Sequence, residues 1–313
     1  MKFKALSHYN RDMDTRYGDC ILLYDANSLI VYDCGHNQHS ETVKSFLESN
    51  PLITHIHIVI SHNDSDHTNG VIDLMDYLYD NKYNTSIYSS LYLKHTQKVL
   101  DLLDDGRRKK SAANEHILDI FDNIAKIIDK ATEYSFEIID ATVDTYVSSA
   151  KIVGPTEDEF AEVVAQAIKD NTVTHIEGET VMNAASVQLK CTLDDEKIIL
   201  LCGDASPSYL HELNSYDIIQ LPHHGQLNDA QTIFDKLNDP YSKTFFISDN
   251  TGSAENSGGS VKLKSYMKEE HYKAALNTQD GVIELPSKSL NVNGNNHGNQ
   301  MQRRMYYGDL GSF

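Results

Sequence analysis

In this chain of 313 residues, 46 acidic side chains against 27 basic ones give a formal net charge of −19. That balance excludes a broad basic surface for gripping a polyanion, because non-specific nucleic-acid binding depends on Lys and Arg neutralising phosphates. Apolar residues make up 40%, enough for a sizeable core in one large domain or two small ones.

No stretch approaches the roughly 18 consecutive apolar residues of a membrane span, and the opening Met1-Lys2-Phe3-Lys4-Ala5-Leu6-Ser7-His8 has too short an apolar run for a secretory signal. The four cysteines, Cys20, Cys34, Cys191 and Cys202, form no Cys-x-x-Cys pair. Cys20 and Cys202 adjoin apolar, strand-like runs, as reduced core thiols do. The chain is therefore expected in the cytoplasm, with no membrane partner.

In chain order, Gly18-Asp19 leads into a strand through Tyr24, Asp25 to Ser28 reads as a turn, and Leu29 to Tyr32 as a second strand ending in Asp33-Cys34-Gly35. Val43, Phe46 and Leu47 give residues 41–48 a helical spacing that Asn50-Pro51 stops. Residues 54–60 read as a strand that ends in Ser61-His62-Asn63-Asp64-Ser65-Asp66-His67, and 71–79 as a helix. Ile117, Leu118, Phe121, Ile124, Ile127 and Ile128 line one face of a long helix. Strands are expected at 137–139 and 151–153, then a helix over 157–169. Residues 186–193 and 197–202 form a hairpin across Asp194-Asp195-Glu196. Strands at 217–221 and 243–248, a helix over 261–271 and a short strand at 282–285 follow. From Pro286 onward the composition is rich in Asn and Gly, the mark of a tail. No internal repeat is visible. Strands alternating with helices, and often paired as hairpins, predict a layered α/β architecture.

The strongest chemical signal is His62-x-Asp64-x-Asp66-His67, directly after an apolar strand. Four potential ligands in six residues can converge on two neighbouring cations, with His supplying nitrogen and Asp oxygen, a set that suits zinc, manganese or iron. The same residues could also make an Asx-rich turn that bonds only its own backbone. Two later segments favour the metal. Leu200-Leu201-Cys202-Gly203-Asp204 again puts a carboxylate at a strand exit, and the strand at 217–221 runs into Pro222-His223-His224-Gly225. If these strand ends share one edge, the ligands meet, and a bridging Asp204 could hold two cations about 3.5–4 Å apart. Spacing alone does not separate His223 from His224 as the ligand.

This pattern resembles the metallo-β-lactamase superfamily, whose usual motif is His-x-His-x-Asp-His; Asp64 stands where the second His would be. That variant is similar to the hydrolase-like domain of the DNA-uptake competence protein ComEC, and to bacterial phosphorylcholine esterases. Gly18-Asp19-Cys20, Asp33-Cys34-Gly35, the segment from Asn183 to Leu189, Leu201 to Asp204, Pro222 to Gly225 and the strand around Ile283 resemble further motifs of that branch. The resemblance implies an αββα sandwich over residues 1–285, with a helical insertion near 95–135 and a tail over 286–313. It implies that His62 and Asp64 bind one cation, Asp66 and His67 the other, that Asp204 bridges, and that His224 completes the second site. His223 then serves the scissile phosphate or leaving group, and Asp66 and Asp204 share in catalysis. A third-motif histidine is missing, and Asn183 in that region is a weak ligand candidate that would leave the first site oxygen-rich. Asp33 is read as orienting a ligand such as His62.

The chemistry expected of such a centre is hydrolysis of phosphodiesters by a water molecule that two divalent cations, zinc or manganese, activate, with His223 as proton donor. A nuclease or nucleotide phosphodiesterase fits best, and the acidic charge calls for a protein partner if nucleic acid is to be held. The alternatives are a small-molecule phosphoesterase, or a metal-binding sensing module without turnover. His55 and His57 alternate with Ile56 and Ile58 and read as a polar strand face. His8, His36 and His39 flank the opening hairpin. Asp249-Asn250 could line the pocket, and Arg107-Arg108-Lys109-Lys110 reads as a solvated loop. Gly252 to Gly259 lacks the Gly-Lys-Ser/Thr ending of a phosphate-binding loop.

Overall fold

In the computed structural model, which describes residues 1–8, 18–90, 121–169, 175–176, 179–248 and 260–287, two seven-stranded mixed sheets are built on the same plan. The first contains β1 (Lys2–Ala5), β2 (Ile21–Tyr24), β3 (Ser28–Tyr32), β4 (His55–Val59), β5 (Asn84–Ser89), β6 (Glu137–Asp140) and β16 (Ile283–Leu285), in the order β16-β1-β2-β3-β4-β5-β6. Pairing is antiparallel from β16 to β3 and parallel from β3 to β6.

The second sheet contains β7 (Tyr146–Val147), β8 (Ala150–Gly154), β11 (Gln188–Thr192), β12 (Ile198–Leu201), β13 (Ile218–Gln220), β14 (Thr244–Ile247) and β15 (Leu276–Asn277), in the order β15-β14-β13-β12-β11-β8-β7. It too is antiparallel from β7 to β12 and parallel from β12 to β15. The repeat is one of topology, which a reading of residue types does not register. A short ribbon, β9 (His175–Ile176) with β10 (Glu179–Thr180), stands apart from both sheets.

Alternation along the strands sets the layers. Ile21, Leu23, Ile30 and Tyr32 of the first sheet share a cluster with Ile152, Leu189, Ile199, Leu201, Ile218 and Phe246 of the second. The intervening residues of the first sheet, Leu22, Leu29, Val31, Ile56 and Ile58, face α1 (Asn37–Ser49) and, after a short α2 (Ser65–Thr68) that takes no part in the cluster, α3 (Val71–Asp80) and α4 (Asp122–Glu133). Residues of α5 (Glu157–Lys169), among them Phe160 and Val164, join this cluster beside α6 (Val181–Ala184). On the far side Leu200, Ile219, Phe245 and Ile247 pack against α8 (Leu227–Lys236) and α9 (Ser260–Glu269), which follow the short α7 (Pro222–Gly225). The architecture is the αββα sandwich expected from the sequence.

Phe246 is buried between the sheets with its ring 5.2 Å from that of Phe3, edge to face. Phe246→Ala is expected to lose about 3–5 kcal/mol of stability, measured as a lower urea midpoint at unchanged slope.

Six described strands carry little sequence signal: β7, β9, β10 and β15 are two residues long, β1 is only four, and β5 reads Asn-Thr-Ser-Ile-Tyr-Ser. Helix α1 starts earlier than its apolar spacing, because the His36 imidazole accepts from the Gln38 N–H at 3.1 Å and caps it. Of the stretch expected to be inserted, residues 95–120 lie outside the described residues. The described part, α4, buries Ile124, Ile127 and Ala131 against the first sheet and leads into β6. All but the first two residues of the 286–313 tail lie outside the described residues, as do Arg107 to Lys110, Asp249-Asn250 and Gly252 to Gly259. Among the described residues no helix is long and apolar enough to cross a membrane. All four cysteines are free and buried.

Candidate metal centre

Because β3, β4, β12, β13 and β14 run parallel within their sheets, their carboxyl ends lie at common edges, where ligands gather in open α/β sheets. Asp33 follows β3, the Ser61–His67 segment follows β4, Asp204 follows β12, the His223-His224 pair follows β13, and Ser248 follows β14. The antiparallel partners bring their starts to the same place, so Asp19 precedes β2 and Ser186 precedes β11.

Three of the histidines, His62, His67 and His224, are held from behind through Nδ1. The His67 Nδ1 lies 2.8 Å from Asp33 Oδ2, the His62 Nδ1 lies 2.9 Å from Ser61 Oγ and 3.2 Å from Ser186 Oγ, and the His224 Nδ1 lies 2.7 Å from the Ser248 carbonyl. This leaves the three Nε2 atoms for the interior. The Nε2 of His62 is 3.8 Å from Asp64 Oδ2, that of His67 is 3.6 Å from Asp204 Oδ2, and that of His224 is 3.4 Å from Asp66 Oδ2 and 3.9 Å from Asp204 Oδ2. The Nε2 atoms of His62 and His67 are buried and make no hydrogen bond among the described residues. Two ligand atoms at zinc-like distances on a tetrahedral ion lie about 3.3–3.5 Å apart. The observed gaps are long for hydrogen bonds and close to that spacing. His62, His67 and Asp204 form one group that could hold a cation, and Asp19, His67 and His224 another. The donor set therefore fits divalent cations.

Ser61 is the hub of this support. Its N–H donates to Asp33 Oδ1 at 2.7 Å and its hydroxyl to Asp33 Oδ2 at 2.6 Å. Asp33 thus meets His67 directly and His62 only through Ser61, whereas the sequence reading paired it with His62. A carboxylate at the end of β3 reaches the residue one turn into α2 more readily than the one beginning the loop. Asn183 stands behind His62 in a similar way: its carbonyl accepts from the N–H and hydroxyl of Ser186, which touches His62.

The two adjacent histidines are separated by the backbone. Both have left-handed conformations, at φ 52° and ψ 49° for His223 and φ 52° and ψ 29° for His224, followed by Gly225 at φ 81°. Such a run of non-glycine residues is costly and tends to be kept where function needs it. It turns the His224 ring into the cluster and leaves His223 half-buried, with its N–H donating to Asp204 Oδ1 at 3.1 Å.

Five carboxyl groups, those of Asp19, Asp33, Asp64, Asp66 and Asp204, lie within 4.0 Å of these imidazoles. Burial opposes charge on His67 and His224. Even so, Asp204 and Asp33 around the first, and Asp204, Asp19 and Asp66 around the second, hold both pKa values well above the ordinary histidine range. Against the push of burial, His224 and His67 in turn keep the carboxyls of Asp66 and Asp204 far below theirs. Burial, and then the neighbouring His224, pushes His223 down to about 4. Protons thus occupy lone pairs for which cations compete. The floor is closed, with His67 at 0% and His62 at 1% side-chain exposure, while Asp64 at 39% and Asp66 at 21% form the open side.

Sequence reasoning missed the roles of Asp19, Gln220, Ser61 and Ser186. The Gly18-Asp19 pair ahead of a strand and the motif-like segment from Asn183 to Leu189, which holds Ser186, offered a signal. Other described histidines do different work. His57 meets the Tyr88 hydroxyl at 3.4 Å. The rings of His8 and His39 lie 5.0 Å apart, tilted by 55°, with His8 Nε2 2.8 Å from Thr42 Oγ1.

An αββα sandwich with a carboxylate and imidazole cluster at its strand ends is the class the structure defines. The chain is similar to solved metallo-β-lactamase-fold structures. Human tRNase Z short form matches over 91% of this chain and 100% of its own, at 13% identity and a TM-score of 0.42. The Bacillus subtilis protein YhfI matches over 70% of each chain, at 12% and 0.36. A Cronobacter sakazakii metallo-β-lactamase mutant matches over 81% of this chain and 77% of its own, at 14% and 0.34. No family profile and no curated protein sequence matches the chain. At these identities and scores no residue role, substrate or metal passes from those proteins to this one.

Proposed function

We propose that this chain is a metal-dependent hydrolase of phosphodiesters, holding two divalent cations, zinc or manganese, among His62, Asp64, Asp66, His67, Asp204 and His224. One observation carries the reading: three imidazoles are pinned through Nδ1 while their Nε2 atoms face carboxylates across gaps of 3.4–3.9 Å. When bound, such cations polarise a phosphoryl oxygen and lower the pKa of water toward neutrality.

The chain's own residues do the rest. Asp204 sits between the His67 and His224 rings, which suits it to bridge. Asp66 faces His224 on the open side and suits both ligation and orientation of the attacking water. His223, at the mouth beside Asp204, is the group for the leaving oxygen, which it meets as a neutral imidazole because burial and then His224 hold its pKa down at about 4. Asn183 serves through Ser186. An oxygen-rich set at His62 and Asp64 accommodates manganese as well as zinc.

Nucleotides and nucleic acid are the proposed substrate class, with small phosphodiesters as the alternative. At a net charge of −19, extended duplex binding calls for a partner with basic surface.

The test begins with chelator-stripped protein. Turnover of bis(p-nitrophenyl) phosphate is expected to return with Mn²⁺ or Zn²⁺ and to vanish with excess chelator. Single-stranded DNA and RNA are assayed beside it. Cation binding with no cleavage of any diester, nor of p-nitrophenyl phosphate, removes the phosphoesterase and leaves a metal-binding module. Cleavage of the small diester alone removes the nuclease.

A further inference from the structure

Asp19 is 1% exposed and belongs to none of the ligand loops proposed above, yet it touches two of them and reaches the third through Gln220. Its N–H donates to the Asp66 carbonyl at 3.0 Å, and its own carbonyl accepts from the Gly35 N–H at 2.9 Å. Its Oδ2 accepts from Gln220 Nε2 at 2.9 Å. The Oε1 of the same Gln220 accepts from the N–H groups of Cys202 and Gly203, at 2.9 and 3.2 Å, and so holds the turn that presents Asp204. The remaining oxygen, Oδ1, is buried without a hydrogen bond of ordinary length and lies 3.4 Å from His224 Nδ1.

We propose that Asp19 is the positioning residue of the metal centre, a buried clamp that joins its three ligand loops and holds His224 with Nε2 facing Asp66 and Asp204. The proposal rests on the reading of this cluster as a metal site.

Direct ligation by Asp19 is the competing role, since donor atoms of Asp19, His67 and His224 all lie within 4.8 Å of one another. The direction of approach decides between the two. Asp19 meets His224 on the Nδ1 side, and that nitrogen is engaged by the Ser248 carbonyl at 2.7 Å. A cation shared between Asp19 and His224 would have to break that bond. It would also leave Nε2, which already faces two carboxylates, outside the centre. With two acceptors around Nδ1, the proton belongs there and the Nε2 lone pair is left for a metal, the usual arrangement behind a ligating histidine.

Asp19→Asn keeps the shape and spoils the pattern. One end of the amide must meet Gln220 and the other His224, and both neighbours offer N–H groups, so either orientation of Asn sets donor against donor.

The experiment measures Mn²⁺ affinity and stoichiometry by calorimetry, with the visible spectrum of the Co²⁺ form, for four proteins. They are the wild type, Asp19→Asn, His224→Ala and the double variant. Asp19→Asn is expected to weaken one cation about 10–100-fold and to alter the Co²⁺ bands. In the His224→Ala background it is expected to change affinity by less than about threefold, since its route through the imidazole is gone. Unchanged affinity and spectrum in Asp19→Asn overturn the proposal. A full further loss in the His224→Ala background also overturns it, because Asp19 would then ligate directly or act on the scaffold alone. Should Asp19→Asn not fold, Asp19→Ser enters the same cycle under the same criteria. A wild type that binds no cation defeats the metal reading itself, whereas normal wild-type binding with an unaffected Asp19→Asn defeats only the role of Asp19.

Discussion

Asp204→Asn is expected to lower metal-dependent diester turnover by about a thousandfold or more and to reduce the cations bound from two toward one. Oδ2 of Asp204 lies 3.6 Å from His67 Nε2 and 3.9 Å from His224 Nε2, and Oδ1 accepts from the His223 N–H. An amide preserves the outline but brings no charge, and its nitrogen cannot ligate. Loss of a cation forfeits several kcal/mol of charge stabilisation in the transition state. At about 1.4 kcal/mol per tenfold in rate, three such steps already make a thousand. The loss should fall on kcat, with affinity for the diester changed less, because the interaction strengthens as charge develops.

The metal-free protein offers an independent check. The Asp204 pKa is depressed, so its contribution to stability is present above the ordinary carboxylate range and is lost as pH falls through the folded value. The His67 and His224 pKa values are raised, so theirs is present below the ordinary histidine value and is lost as pH rises through the folded values. The stability deficit of metal-free Asp204→Asn should therefore be greatest between those limits and shrink on either side, as read from melts over a pH series. Turnover within tenfold of wild type would remove Asp204 from the centre.

Gly18→Ala is expected to cost roughly 2–5 kcal/mol and to weaken metal binding with it. A Cβ on Gly18 would stand 1.6 Å from the carbonyl oxygen of Asp66 and 2.4 Å from its carbonyl carbon, at a φ of +63°. The left-handed backbone contributes about 1–2 kcal/mol and the overlap about 1–3. The clash cannot be relieved by a side-chain rotation, since the obstacle is backbone that carries a proposed ligand. The neighbouring Asp19 N–H also bonds that same carbonyl, so movement at either end disturbs Asp66. Gly281→Ala is the control. Its φ of +129° is unfavourable for alanine, but nothing lies within 4 Å of the added carbon, so only backbone strain of about 1–3 kcal/mol applies and metal affinity should hold. Urea denaturation and calorimetry together separate the two effects. Equal metal affinity in Gly18→Ala and wild type would contradict the close packing of these loops.

Much of the centre is legible along the chain because its ligands crowd into short segments. Four of the six proposed ligands occupy the turn after β4, and the others stand at apolar strand exits that residue type marks clearly. The layered α/β class was legible for a related reason. Alternation such as Ile21-Leu22-Leu23 or Leu29-Ile30-Val31, apolar on both faces, signals strands covered from both sides. Less was readable where a strand is short or polar, as β1 and β5 are. The stretch expected as an insertion was also hard to bound, since the helix over Asp122–Glu133 packs as a member of the helical layer.

What the sequence determined by itself was the inventory of ligand types and the strand exits that bear them, since both depend on local chemistry and period. Direction and pairing were decided only in three dimensions. Antiparallel β2 brings Asp19 to the edge where β3 delivers Asp33 and β4, β12 and β13 deliver the proposed ligands. Gln220 reaches across from one sheet to the other, and three left-handed residues aim His224 inward while His223 stays at the mouth. Those choices follow from burying two sheets against each other, a condition that no window of neighbouring residues contains.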